Sequence, residues 1–242
     1  MSYPFNYPTP TNATVNIYTG QEQGTNYNYT WVKPTGCSFV WFTLIGSGGN
    51  GGAGSGAQKP GGGGSGAVTN CLVPAFLLPD ELIVMVGGVG SAINTSICYQ
   101  QKSTTVYLVL DAANGSSGTS SNSGAGGGAA NLKRLGAAGL YQSIAGQAGV
   151  TGGSVTASAT TFLSGGAGFN GATPGTVAAN YGNSTTFQGF SAMQPIIVGV
   201  GGASDSTAGG GYGGVGCGGG GYVTGSTVNG RGGPGMAVII AW

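Results

Sequence analysis

The strand-like run Phe39-Val40-Trp41-Phe42-Thr43-Leu44-Ile45 empties directly into Gly46-Ser47-Gly48-Gly49-Asn50-Gly51-Gly52-Ala53-Gly54-Ser55-Gly56 and, after Gln58-Lys59-Pro60, into four consecutive glycines at 61–64. Apolar runs recur at 82–86, 106–110, 196–200 and 236–242, and most of them open into or emerge from glycine-dense stretches. Runs of this length, bounded by glycine, read as strands of one β framework. Glycine supplies 55 of 242 residues. Flexible Gly/Ser linkers of that extent would leave several long structureless loops inside a compact domain, which is uncommon. Collagen needs glycine at every third position with abundant proline, and neither condition holds. What remains is polyglycine in an extended geometry with three residues per turn, its segments packed side by side. Without a Cβ, neighbouring backbones come close enough to exchange N–H and C=O hydrogen bonds. The expected fold is therefore all-β, a sandwich or jelly-roll-like framework with packed glycine-rich segments.

Only six basic and five acidic residues are present, with a net charge of +1, yet 9% of the chain is aromatic and its mean hydropathy is positive. That composition folds rather than stays disordered. So little surface charge leaves a lone soluble monomer prone to associate, so an assembly is expected. The scattered Lys33, Lys59, Lys102, Lys133, Arg134 and Arg231 form no basic stripe, which argues against nucleic acid as a partner. No apolar run reaches the ~18 residues of a membrane span, and the first residues lack a signal-peptide pattern, so no membrane partner and synthesis in the cytoplasm are expected.

Cys37, Cys71, Cys98 and Cys217 are widely spaced and read as buried free thiols, although their spacing leaves any pairing open. With no histidine in the chain, neither a zinc site nor a serine nucleophile has its usual helper. The acids Glu22, Asp80, Glu81, Asp111 and Asp205 form no converging pair. Residues 46–51 follow a strand, as a phosphate loop does, but no helix or Lys-Ser/Thr pair follows. No catalytic, cofactor-binding or metal site is expected. Asn-x-Ser/Thr triplets, as at Asn28 and Asn183, are matches that an Asn/Ser/Thr-rich chain yields by chance.

Along the chain, residues 1–28 read as an extended arm carrying Pro4, Pro8 and Pro10, with an alternating strand at 13–19, and residues 29–242 as the glycine-rich β domain. Pro34 to Gly36 reads as a turn into the strand at 39–45, 66–73 as a second strand, and 74–81 as a bend. A polar hairpin leads to a strand ending at Leu110. Residues 131–140 allow a helical turn or two, and 141–190 are weakly patterned, with short strands at 154–162 and 185–190.

The order Tyr29-Thr30-Trp31-Val32-Lys33-Pro34, then Phe39 to Gly49, then 61–65, then Val73-Pro74-Ala75-Phe76-Leu77-Leu78-Pro79-Asp80 with Ile83-Val84-Met85-Val86-Gly87, and finally Gly232-Gly233-Pro234-Gly235-Met236-Ala237-Val238-Ile239-Ile240, resembles the glycine-rich domain of tailed-phage tail-fibre and other virion structural proteins. Residues 113–130 depart from that family's longer pure glycine in being diluted with Ser, Thr, Asn and Ala. The resemblance implies a non-enzymatic virion component for host attachment or display, with a capsid, coat or decoration subunit of purely assembly role as the alternative. It also implies other virion proteins and a host surface glycan or protein as partners, and favours a trimer. Tyr141, Phe169, Tyr181, Tyr212 and Tyr222, aromatics in glycine-dense or polar stretches, are the candidate surface contacts. Tyr3, Phe5, Tyr7, Ile17 and Tyr18 are the apolar anchors expected to reach a neighbouring subunit.

Overall fold

The structure, a computed structural model, describes residues 13–21, 25–54, 61–91, 93–101, 105–120, 140–146, 148, 149, 186, 187, 196, 197, 204, 205, 209, 210, 212–223 and 230–242. Its long strands are β1 (Thr14–Thr19), β2 (Asn26–Val32), β3 (Phe39–Ile45), β5 (Val68–Pro74), β6 (Glu81–Gly87), β7 (Thr95–Gln101), β8 (Thr105–Ala112), β9 (Leu140–Ile144) and β15 (Met236–Ala241). Two-residue strands are β4 (Ala53–Gly54), β10 (Thr186–Phe187), β11 (Ile196–Ile197), β12 (Ser204–Asp205), β13 (Gly209–Gly210) and β14 (Tyr222–Val223). One antiparallel sheet has the order β1-β15-β3-β5-β9, the other β2-β6-β7-β8, and the two pack as a sandwich. The all-β expectation holds.

Which residues go inside follows from the alternation of side chains along each strand. In β2 and β6 only one face is buried, with Trp31, Leu82, Val84 and Val86 turned into the core and Thr30 and Glu81 left exposed. β3 and β15 are buried on both faces, which is why they read as unbroken apolar runs. Val40, Phe42 and Leu44 face the other sheet, where Trp31 meets Phe42 edge-on at a centroid distance of 6.3 Å. Trp41, Ile45, Met236, Val238 and Ile240 form a second cluster on the opposite face. Thr43 is tolerated there because its hydroxyl accepts from Trp41 Nε1 at 2.8 Å and donates to Asn70 Oδ1 at 2.9 Å.

The turn before β3 forms as read, with Gly36 at φ +80° and the Cys37 amide donating to the Pro34 carbonyl at 3.4 Å. The bend after β5 tightens into a 3-10 turn, Ala75–Leu77. Two strands depart from the sequence reading: β7 carries most of the expected polar hairpin, and β9 begins at Leu140, where a helical turn was expected. The expected turn at 131–139 and strand at 154–162 lie outside the described residues. The alternating strand expected at 13–19 forms as β1. β1 pairs along its whole length with β15, and the Tyr29 hydroxyl donates to the Thr19 carbonyl at 3.1 Å, tying the edge of one sheet to the other.

The four cysteines are thiols, none of them in a disulfide; Cys71, Cys98 and Cys217 are buried and Cys37 is partly exposed. Burial pushes the Cys71 thiol up to about 11, and burial together with the Asp111 carboxylate does the same for Cys98. A raised folded value favours the folded state fully at pH below the ordinary thiol value and loses that contribution as pH rises through about 11. Native protein at pH 8 should react with a thiol reagent at Cys37 alone, and the urea midpoint should fall between pH 8.5 and 10.5, less so in Cys71→Ala. Four rapidly reacting thiols in the folded state would contradict this burial.

Candidate functional site

Among the described residues, six glycine-bearing segments start at one end of the sandwich: 46–54 from β3, 61–67 into β5, 87–91 from β6, 113–119 from β8, 145–149 from β9 and 230–235 into β15. The order β15-β3-β5-β9 of the sheet continues into the bundle, because backbone and carbonyl contacts link 230–235 to 46–54, 46–54 to 61–67, and 61–67 to 145–149. Segments 87–91 and 113–119 extend the other sheet beneath this layer. Segment 213–221 covers it from above, with Cys217 and Val215 entering the outer apolar cluster.

Segment 46–54 shows the packing rule. Gly46, Gly49 and Gly52 donate to the carbonyls of Ala67, Gly64 and Gly61 at 2.9, 2.9 and 2.8 Å. Gly48 and Gly51 donate to Gly233 and Gly230 at 2.9 and 2.7 Å. Gly61, Gly64 and Ala67 donate in turn to Thr119, Ser116 and Ala113, while Gly63 and Gly66 donate to Gly219 and Gly216. Gly115 and Gly118 complete the set by donating to Ser47 and Asn50, both at 2.8 Å. Each series advances by three residues, where a β ladder would advance by two, and every bond runs between segments, as three-residue-per-turn chains require.

The same glycines have a second use. A Cβ on Gly46, Gly49 or Gly52 would fall on the carbonyl oxygens of Ala113, Ser116 or Thr119, and one on Gly48 or Gly51 on those of Cys217 or Gly220. The Cα–H that occupies this direction instead points at a carbonyl oxygen, a weak hydrogen bond worth ~0.5–1 kcal/mol. Only the third position of each turn is free to carry a side chain, namely Ser47, Asn50 and Ala53. Ser47 Oγ donates to the Ser91 carbonyl at 2.8 Å, and Asn50 Oδ1 accepts from the Gly232 amide at 3.1 Å.

Glycine content per turn therefore reports how many sides of a segment are packed. Segment 46–54 needs two glycines in three, while 113–119, packed on one side, has only Gly115 and Gly118 in the close-packed register and leaves Ser116, Ser117 and Thr119 exposed. Segment 145–149 follows the second pattern, with Gly146 and Gly149 against the carbonyls of Ser65 and Gly62.

The candidate contacts fall in different places. Tyr212 is 59% exposed at the bundle, with the Arg231 guanidinium 5.8 Å from its ring centroid, a cation–π pair. Tyr222 lies in β14, paired in parallel with Ala53 of β4. Tyr141 is in β9 rather than a loop, half-buried against the sandwich core, and burial raises its phenol pKa. Phe169, Tyr181, Tyr3, Phe5 and Tyr7 lie outside the described residues. Ile17 and Tyr18, read as anchors for a neighbouring subunit, pack within their own chain: β1 gives Ile17 the outer cluster and Tyr18 the inner core, where its ring lies 5.0 Å from that of Tyr29.

Sequence reasoning passed over an apolar group at the other end of the sandwich, farthest from the glycine bundle. Val32, Phe39, Phe76, Leu77 and Leu140 are exposed there, and the Phe39 ring stacks on Trp242 at 6.2 Å. The available signal was Phe76-Leu77 in the short bend between Pro74 and Pro79, where the flanking Ala75 and Leu78 take the buried places.

A family described as a glycine-rich domain matches residues 23–242, starting between β1 and β2. No curated protein sequence matches the chain.

If the packing rule is right, Gly52→Ala should destabilise by ~1–3 kcal/mol, since its methyl meets backbone that cannot yield cheaply, whereas the neighbouring Ala53→Ser should stay within ~0.5 kcal/mol of wild type. Equal urea midpoints for the two variants would contradict the rule.

Proposed function

The chain belongs to the glycine-rich domain family, and on that premise we propose that it is a non-enzymatic virion structural protein, a surface or tail-fibre-type module for host attachment or display. The observation that carries this reading is the bundle itself. Close-packed backbone fixes the segments with almost no side chains in the interior, and their described ends come together at the far end, where Gly52 bonds Gly61, Gly61 bonds Thr119, and Gly51 bonds Gly230. An end fixed by backbone contacts in this way is ordered before anything binds it, which suits a surface presented to a target. The exposed Tyr212 on Arg231 gives that end an aromatic face and a cation, a chemistry that fits a host surface glycan or protein. The order of motifs from Tyr29 to Ile240 supports the virion setting, and with it homo-oligomeric assembly, favouring a trimer, alongside other virion proteins.

A capsid, coat or decoration subunit that only assembles is the second reading, and the exposed apolar group at the opposite end favours it. Adsorption separates the two. Labelled protein should bind host cells and reduce virus adsorption when added first, and Tyr212→Ala should weaken both several-fold with an unchanged melting temperature. Protein that incorporates into particles yet neither binds cells nor competes would leave assembly as its role.

A further inference from the structure

Arg231 is the only charged residue in the described glycine segments: 46–54, 61–67, 87–91, 113–119, 145–149, 213–221 and 230–235 contain no aspartate, glutamate or lysine. Among the described residues it has no ion-pair partner, and its buried Nε–H finds no acceptor. What the guanidinium meets is the exposed ring of Tyr212, with 5.8 Å to the centroid. Lys33, at the apolar end, shows how this fold employs a structural cation: its Nζ donates to the Leu78 carbonyl at 2.8 Å and pairs with Asp80 at 3.0 Å. Arg231 has no such bond to break. A buried N–H without an acceptor is costly, so a group that brings one gains more here than at an ordinary surface arginine.

Backbone positions the pair. The Gly213 amide donates to the Arg231 carbonyl at 2.8 Å, joining the residue after Tyr212 to Arg231 itself. Gly51 donates to Gly230 at 2.7 Å, and the Gly232 amide donates to Asn50 Oδ1 at 3.1 Å. Gly213, Gly230 and Gly232 each have a carbonyl oxygen where a Cβ would stand, so the pair is flanked by backbone and not by side chains.

One exposed ring and one unpaired guanidinium on a glycine surface select the ligand. The exposed part of the ring takes the C–H face of a sugar, and the planar fork of the guanidinium takes a carboxylate through two parallel N–H···O bonds. One carboxylate also matches one guanidinium in charge. A phosphomonoester carries ~1.5–2 negative charges, and these segments hold no second cation to meet the excess. An acidic protein surface needs a core of apolar contact area, which glycine backbone does not supply. We infer that Tyr212 and Arg231 form a binding site for a carboxylated sugar, a uronic-acid-type residue of a host surface polysaccharide. This rests on the attachment role proposed above and names the ligand class for it. A single contact of this kind is on the order of millimolar in affinity, and repeated copies of the site in an oligomer raise it by avidity.

Full-length protein labelled with 15N-arginine has two Nε–H groups to report, at Arg134 and Arg231, and Arg231→Gln assigns their signals. Titration with methyl glucuronide should shift the Arg231 signal saturably. Its uncharged methyl ester should bind roughly tenfold more weakly or worse, through loss of one charge-assisted pair. Tyr212→Ala should weaken glucuronide binding several-fold at an unchanged melting temperature. The wild-type protein suffices if a variant misfolds, because equal binding of the ester, or no response to glucuronide, would overturn the inference. Acetate binding as tightly as glucuronide would make the site a bare anion contact, and tighter binding of the acidic peptide acetyl-diglutamyl amide would make it a protein contact; either result overturns the sugar. Adsorption to host cells without a glucuronide response would overturn the ligand class and spare attachment. Glucuronide binding without adsorption would uphold the site and remove the attachment reading.

Discussion

A carbonyl oxygen placed where a Cβ would stand is the constraint on which the rest of this molecule depends. At Gly48, Gly49, Gly51 and Gly52 that oxygen belongs to a neighbouring segment, so any side chain there must push backbone aside. The packing that excludes side chains also pairs the amides. Gly49 donates its N–H to Gly64 and presents its Cα–H to Ser116, so one residue ties three segments together. Glycine loses more conformational freedom on folding than other residues, ~0.5–1 kcal/mol relative to alanine. An isolated polyglycine chain has nothing to offset this, but a bundle that satisfies its buried amides between segments does.

The sandwich supplies the register. Strands of one sheet stand ~4.8 Å apart, and the glycine segments leave them already side by side, so the sheet order is handed on to the bundle. The continuity is visible at Ile45, which pairs with both Val68 and Met236, one residue before Gly46 donates to Ala67 and three before Gly48 donates to Gly233. The apolar core orders the frame, the frame aligns the segments, and hydrogen bonds then fix them. The bundle's rigidity is thus derived from the hydrophobic clusters around Phe42 and Trp41, although its own interior holds almost no apolar side chain.

Much of this was legible in the residues. β3 and β15 are unmistakable apolar runs because burial on both faces leaves little room for polar residues, and β6 reads as one because the half-buried positions between Leu82, Val84 and Val86 hold Ile83 and Met85. β7 and β9 were not: β7 opens with the buried polar residues Thr95 and Ser96, and β9 mixes polar and apolar side chains at exposed and half-buried positions. The three-residue phase was written in Gly-Ser-Gly-Gly-Asn-Gly-Gly-Ala-Gly but carries no meaning until one knows which sides of the segment are covered. The diluted stretch 113–119, which looked like a departure from the family pattern, is what a segment packed on one side requires. The apolar end was hidden for a different reason: Phe39 and Trp242 lie at opposite ends of the sequence, and only the β3–β15 pairing brings them together.

Amide hydrogen exchange on protein labelled with 15N-glycine tests the central claim most directly, because it reads the bundle's hydrogen bonds without altering it. Gly48, Gly49, Gly51, Gly52, Gly63, Gly64 and Gly66 should be protected to the level of the amides in β3 and β15 and open only with global unfolding. Exchange of these glycines at the rate of an unstructured chain, with the strands still protected, would contradict a packed polyglycine bundle.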